Sequence, residues 1–384
     1  MSSSTGLGTR LRNYLMTGVS YMIPFVAAGG ILIALGFALG ALETGGKDGI
    51  LAYDPAVMHV SVDDGGVMTG FNPLHVGDWA YLIFWLGKSG FDFFVPVLAG
   101  YIAFAIADRP GIAPGFIAGA LATGLGNAHT LGTGTGFLGA ILGGLVAGYV
   151  AKWISSWSVP TWLRSLMPVV IIPLLATVVT GLAMELLFKA PISWLMKSMN
   201  DGLSGLGLGA MIVLGLILGA MMAFDMGGPV NKVAYVFATT GLGAAATAAS
   251  DPHLAIMAIV MAAGMTPPMG LALATVIRKN LFTEEERENG KAGWLLGASF
   301  ITEGAIPFAA ADPIRVIPSI MIGSAVTGIT VAALDVQQRA PHGGIFAIFV
   351  PGVVNNVLGY LLALVIGTIV TAVAVIVAKS IGKK

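Results

Sequence analysis

VLGYLLALVIGTIVTAVAVIVA, residues 357–378, decides the fold, because 22 consecutive positions carry no charged side chain. A helix rises about 1.5 Å per residue and a hydrocarbon core is about 30 Å thick, so a run of this length crosses a bilayer in one pass. Comparable apolar runs lie at 20–42, 79–107, 112–126, 137–154, 166–188, 208–226, 230–249, 254–277, 292–311 and 313–334. The whole chain is 56% hydrophobic and 10% charged, against roughly 45–50% and about 25% for a soluble domain. Backbone polar groups in lipid must be satisfied within the segment, so runs of this kind are helices. The expectation is an all-α polytopic membrane protein with about ten membrane-embedded segments. Several are too short or too interrupted to cross, and these are read as re-entrant hairpins.

Nineteen basic residues balance nineteen acidic ones, so electrostatics offers no case for nucleic acid. The absence of cysteine excludes disulfides, thiolate metal sites and a cysteine nucleophile within the chain. The first apolar run is longer than a signal-peptide core and reads as a retained span, with the mature chain starting near Met1. Arg10, Arg12, Lys152, Arg164, Lys379, Lys383 and Lys384 flank spans and put both termini on the cytoplasmic side. The loop 43–78 holds Asp48, Asp54, Asp63 and Asp64 with Lys47 as its base, which suits the opposite side. Thr283 and Glu286 have capping-box spacing, and the charges from Glu284 to Glu288 predict a solvated cytoplasmic turn. Glycine pairs such as Gly139 with Gly143 and Gly144 with Gly148 predict close helix packing. Pro267-Pro268 and Pro307 are expected to break their runs, and broken helices at membrane depth build substrate sites.

An ionisable residue in hydrocarbon costs about 2.5–3.5 kcal/mol on insertion scales, so polar clusters inside apolar runs are site candidates. In SFITEGAIPFAAADP, 299–313, Glu303 stands beside Thr302 and Gly304, with Asp312 downstream. A carboxylate there accepts hydrogen bonds from hydroxyls, or else pairs with a base or caps a half-helix. In FDMGGPVNK, 224–232, Asp225, Asn231 and Lys232 surround a Gly-Gly-Pro turn. Asn231 offers donor and acceptor to a polyol; the alternative is an Asp225–Lys232 ion pair. In RAPHGGIF, 339–346, a glycine-rich turn presents His342 to substrate or phosphate, or holds it as an ordinary turn residue. His59, His75, His129 and His253 lack such surroundings, and no pair has metal-ligand spacing. Asp108-Arg109-Pro110-Gly111 reads as a tight turn with a local ion pair. No P-loop, G-x-S-x-G or HExxH is present, and no cofactor is expected.

NYLMTGVSYMIPFVAAGG, ADRPGIAPGF, MAFDMGGPVNK, SFITEGAIPFAAADP, RVIPS and RAPHGGIF together resemble the membrane (IIC) component of fructose-specific phosphotransferase systems. The resemblance spans residues 13–346. It implies a permease that takes fructose across the bacterial inner membrane while a phosphocysteine on a partner IIB domain, fed by IIA and HPr, converts it to fructose 1-phosphate. The chain would thus be the membrane subunit of a sugar phosphotransferase without carrying the phosphorylated cysteine itself. IIB would be a separate chain or a missing fused domain, with residues 1–12 a cytoplasmic segment or trimmed linker. The wider superfamily, including glucose, maltose and chitobiose permeases, carries an I-T-E-P-x-E-F motif whose first glutamate contacts sugar. Glu303 matches that position, whereas Gly304 to Phe308 depart from the second-acid segment. The family fold implies a homodimer in membrane lipid, with 13–200 mainly scaffold and 201–384 mainly an elevator-type transport half. On this reading Glu303 and His342 are catalytic. Glu303, Asn231, Asp225, His342, Thr302, Gly304, Asp312, Lys232 and Arg315 bind substrate, with His342 or Arg315 neutralising phosphoryl charge. The alternatives are a proton- or sodium-coupled secondary sugar transporter, a permease for another sugar such as mannosylglycerate, and a sugar-sensing subunit that moves nothing.

Overall fold

The structure, a computed structural model, describes residues 6–45, 49–125, 135–204, 207–245 and 251–381. Lys47, Asp48, His129, Lys383 and Lys384 lie outside the described residues. In chain order the helices are α1 (Leu7–Glu43), α2 (Val76–Asp92), α3 (Phe94–Ala107), α4 (Arg109–Thr123) and α5 (Gly136–Ser155). Then come α6 (Thr161–Arg164), α7 (Ile172–Ala183), α8 (Lys189–Ser204), α9 (Leu208–Phe224) and α10 (Pro229–Ala245). The last are α11 (Pro252–Ile277), α12 (Glu284–Ala298), α13 (Ile306–Ala311), α14 (Pro313–Ala333) and α15 (Val357–Ser380). Among the described residues extended pairing is limited to two isolated bridges, Val62 with Met68 and Gln338 with Val354.

Among the described residues seven helical stretches are long and apolar enough to cross a membrane: Leu7–Glu43, Val76–Ala107, Gly136–Ser155, Met167–Leu195, Pro252–Ile277, Pro313–Ala333 and Val357–Ser380. The other apolar runs of the sequence are shorter as helices. α4 has 15 residues and α9 and α10 have 17 each, below the roughly 20 that cross without help. The run 292–311 is broken into α12, the 3-10 turn Thr302–Ala305 and α13.

Two compact units emerge. The first comprises Met1–Ala28 and Ser89–Leu203, the second Gly29–Lys88 and Ser204–Lys384.

In the first unit, α3, α4 and α5 pack through glycine and alanine. A Cβ on Gly115 would lie 2.7 Å from Ala99 O, and one on Gly144 would lie 2.6 Å from the same oxygen, so these helices touch backbone to backbone. Without a hydrophobic driving force in lipid, such close contact is what holds helices together. Asp108 turns the chain between α3 and α4 at φ 59°, with its N–H donating to Phe104 O at 2.7 Å. No Asp108–Arg109 ion pair forms there among the described residues. The stretch Met167–Leu195 buries 28% of its apolar window and leaves Leu174, Val178, Leu182 and Leu186 exposed.

In the second unit α11 is the central post, 94% buried over its apolar window. Contrary to expectation, Pro267-Pro268 does not split it: α11 runs unbroken for 26 residues. An interior proline removes the hydrogen bond to the carbonyl four residues back, typically at a cost of about 3 kcal/mol. Here the deprived carbonyls are those of Ala263 and Gly264. Ser324 Oγ of α14 donates to Ala263 O at 2.9 Å, and Thr302 Oγ1 donates to Gly264 O at 2.9 Å. Each proline thus turns a helix carbonyl into an acceptor for a neighbouring segment. α9 meets α14 at Gly215 and Gly328, whose backbones touch, and Thr266 Oγ1 bonds Thr327 Oγ1 at 2.8 Å.

The polar start of α12 is a capping box as predicted: Glu286 N donates to Thr283 Oγ1 at 3.1 Å, and Thr283 N donates to Glu286 Oε2 at 2.8 Å. It is not wholly solvated. Glu286 is buried and its Oε1 accepts from Lys379 Nζ of α15 at 2.7 Å, with the ammonium 4.7 Å from the Phe282 ring centroid. Lys379→Met strands a buried carboxylate, a loss of about 3–5 kcal/mol; thermal unfolding in detergent should show the drop, with Glu286→Gln/Lys379→Met recovering part of it.

His75, read from sequence as an ordinary histidine, is clasped between two carboxylates: Nδ1 lies 2.6 Å from Asp78 Oδ1 and Nε2 lies 3.1 Å from Glu43 Oε1. The Asp78 hydrogen bond raises its pKa above 6.5, burial opposes this, and the Glu43 charge adds to the rise. A folded pKa above the unfolded one means that the clasp contributes fully below about pH 6.5 and fades as pH rises through the elevated value. The melting temperature should therefore fall across that window, and His75→Gln should flatten the pH dependence of melting without shifting the high-pH limit.

Candidate functional site

The site is built from the Thr302 anchor outward. Because its hydroxyl is committed to Gly264 O, Thr302 is buried and fixes the first residue of the 3-10 turn Thr302–Ala305 against α11. Gly304 presses on the same helix, since a Cβ there would lie 3.2 Å from Pro268 Cβ. Between them Glu303 points outward. It is exposed, flanked by exposed Ile301 and Ile306, and its carboxylate makes no hydrogen bond or ion pair among the described residues. Neither a buried base nor a half-helix cap accounts for it.

FDMGGPVNK meets this carboxylate. Met226 and Gly227 have φ values of 41° and 93°, which turn the chain sharply between α9 and α10. A Cβ on Gly227 would collide with Glu303 Oε1, so glycine is what permits the approach. Asp225 caps the first turn of α10, accepting from Val230 N and Asn231 N at 2.8 Å each. A carboxylate at a helix N-terminus satisfies orphan donors and complements the dipole. Asn231 is buried and its Nδ2 donates to Met222 O at 2.6 Å. Lys232 follows on the first turn of α10, half-buried.

RAPHGGIF joins through aromatic contacts. The His342 ring meets Phe300 edge to face, with centroids 5.6 Å apart, and Phe300 meets Tyr235 of α10 at 5.8 Å. Tyr235 Oη donates to Pro341 O at 2.9 Å. His342 Nδ1 accepts from Gly343 N at 2.8 Å, so the other ring nitrogen, Nε2, carries the proton in the neutral ring. Burial pushes the imidazole pKa below its ordinary value, which keeps it neutral at pH 7.

Glu303, Asp225, Asn231, Lys232, Thr302, Gly304 and His342 thus belong to three chain segments joined through Gly227, Phe300 and Tyr235. Asp312 and Arg315 engage each other instead. Arg315 Nη1 lies 3.1 Å from Asp312 Oδ2, and Asp312 caps α14. The short helix α13 separates them from Glu303 along the chain.

Sequence reasoning missed Phe300, Tyr235, Asn355 and Asn356. The asparagines close the loop that carries His342. Asn355 Oδ1 accepts from Gln337 N at 2.7 Å and Asn355 Nδ2 donates to Asp335 O at 3.0 Å. Asn356 Nδ2 donates to Leu334 O at 3.1 Å, while its Oδ1 caps α15 through Gly359 N. The adjacent pair just ahead of an apolar run was an available helix-start signal. Phe300, at φ 63°, had no counterpart signal. Among the described residues no group of His, Asp and Glu could hold a metal ion.

Helices and broken segments of this kind define a polytopic α-helical membrane protein. The family described as "Phosphotransferase system, EIIC" matches residues 16–323. The "PTS system fructose-specific EIIB'BC component" of Xanthomonas campestris pv. campestris is 47% identical over 362 residues, covering 94% of this chain and 56% of the relative. The "PTS system fructose-specific EIIC component" of Haloferax volcanii is 43% identical over 375 residues, covering 95% of this chain and 91% of the relative. The crystal structure of the transporter ChbC, the IIC component of the N,N'-diacetylchitobiose-specific phosphotransferase system, aligns at TM-score 0.57 and 14% identity, covering 98% of this chain and 96% of that one. That likeness is one of fold. The chain belongs to the phosphotransferase-system EIIC family. It spans little more than half the length of the Xanthomonas relative.

If Thr302 acts by positioning Glu303, Thr302→Val leaves Gly264 O without a donor. That costs about 1–3 kcal/mol of stability and weakens ligand binding, whereas Thr302→Ser restores both. Melting temperature and isothermal titration on the same preparations check this.

Proposed function

We propose that the chain is the permease of a fructose phosphotransferase system, which binds fructose and moves it across the cytoplasmic membrane for phosphorylation at a IIB domain. The carrying observation is the Glu303 carboxylate, exposed and without a protein partner among the described residues, held by Thr302 beside the Gly227 turn. An ionised carboxylate accepts several hydrogen bonds, which suits a polyol. The names of the relatives supply fructose as the sugar and IIB as the partner.

In the proposed reaction a sugar hydroxyl oxygen attacks the phosphorus of a IIB phosphocysteine, the P–S bond breaks, and the thiolate leaves. The hydroxyl proton passes to Glu303 or to solvent, and the product is fructose 1-phosphate. Such transfers depend mainly on positioning and charge neutralisation. Glu303 orients the hydroxyl; neutral His342, with a proton on Nε2, donates to a sugar or phosphoryl oxygen. The remaining elements of the proposal are a homodimer, about ten embedded segments, both termini cytoplasmic, and an elevator motion of a transport half, mainly 201–384, against a scaffold, mainly 13–200.

Proteoliposomes with phosphorylated IIB inside and labelled fructose outside test the reading. Accumulation of fructose 1-phosphate that requires phospho-IIB is expected, and Glu303→Gln should lower it at least about 10-fold, from loss of a charged hydrogen bond worth about 1.5–3 kcal/mol. Uptake of free fructose without IIB would mean a secondary transporter, in which an unpaired acid such as Glu303 couples a cation.

A further inference from the structure

We propose that the cleft between the C-terminal end of α11 and the first half of α12 seats the head group of a membrane phospholipid, one that joins a phosphodiester to a primary ammonium. The cleft measures about 460 Å³ and is lined by Lys279, Glu284, Arg287, Glu288, Lys291 and Trp294, among others. Its charges do not cancel internally. Lys291 Nζ is 2.6 Å from Glu288 Oε1, which leaves two cations and one anion. The side chains of Lys279, Arg287 and Glu284 have no hydrogen bond or ion pair among the described residues. Arg287 is half-buried as a residue, and its guanidinium has no anionic partner among the described residues.

Two features place the cleft at a membrane surface. α11 ends in exposed Val276 and Ile277, at 56% and 55%, immediately before Arg278 and Lys279. On the facing helix Trp294 and Leu295 are exposed as well. An apolar exposed surface that gives way to basic residues beside a tryptophan marks the boundary between hydrocarbon and water. Acyl chains laid along Val276, Ile277 and Leu295 would bring the phosphodiester to Lys279 and Arg287. Arginine suits phosphate oxygens because its planar fork donates two parallel hydrogen bonds. The unpaired Glu284 then meets a cation at the far end of the head group. A primary ammonium offers hydrogen bonds to this carboxylate, and a quaternary one does not.

Native mass spectrometry of the full chain in detergent tests this with phosphatidylethanolamine, phosphatidylcholine and inorganic phosphate as probes. Wild type should retain one phosphatidylethanolamine per chain at least fivefold more than phosphatidylcholine, with a millimolar excess of inorganic phosphate failing to displace it. Lys279→Gln/Arg287→Gln should lose that retention, and Glu284→Gln should erase the preference between the two lipids. Arg10→Gln/Arg12→Gln removes the same charge elsewhere and should change nothing. Should the Lys279 and Arg287 double variant fold poorly, the exposed single variant Lys279→Gln carries the test with a partial loss. Equal retention of both lipids by wild type, displacement by inorganic phosphate, or equal loss in both double variants would each overturn the proposal.

Discussion

Two carbonyl oxygens in the middle of α11 organise the second unit. Pro267 and Pro268 take away the amide donors that Ala263 O and Gly264 O would use, in a helix buried where water is scarce. An unmet carbonyl at that depth costs several kcal/mol, so the segments that supply hydroxyls are held in place by that cost. Ser324 brings α14 to the first oxygen, and Thr302 brings the broken segment to the second. The residue after Thr302 is Glu303. What fixes the candidate functional carboxylate is therefore the repair of a defect in its neighbour.

A second constraint concerns charge. The acidic groups of the second unit divide by whether they have a protein partner. Glu286 is spent on Lys379 and on the α12 cap, Asp225 on the first turn of α10, and Asp312 on Arg315 and α14. Each of these closes a helix end or ties two helices. The Glu303 carboxylate does neither, and the proposed sugar contact rests on that. The same contrast applies at the other polar surface of the unit, where Lys291 and Glu288 satisfy each other while Lys279, Arg287 and Glu284 do not.

Neutral residues complete the site in the same manner. Gly227 is needed because Glu303 occupies the space of a side chain, and its positive φ also turns α9 into α10. Phe300 stands between His342 and Tyr235, which links the loop 335–356 to α10. That loop has little regular structure, and its backbone groups are met by Asn355, Asn356 and the bridge between Gln338 and Val354. Irregular backbone in a membrane protein is tolerated where such partners exist.

Much of this is legible in the sequence. Uncharged runs such as 357–378 determine helices, because over that length a helix satisfies every backbone group within the one segment. Thr283 with Glu286 determined the cap of α12, since capping depends on four neighbouring residues. Glu303, Asp225 and His342 were visible as polar residues out of place. Tertiary structure alone decided the rest, because it depends on partners far apart in sequence. It let α11 pass through two prolines that local rules would make a break, paired Glu286 with Lys379 across 93 positions, and closed Glu43 and Asp78 on His75. It also separated the carboxylate left without a partner from those already in use, a distinction that resides in neighbours and not in residue type.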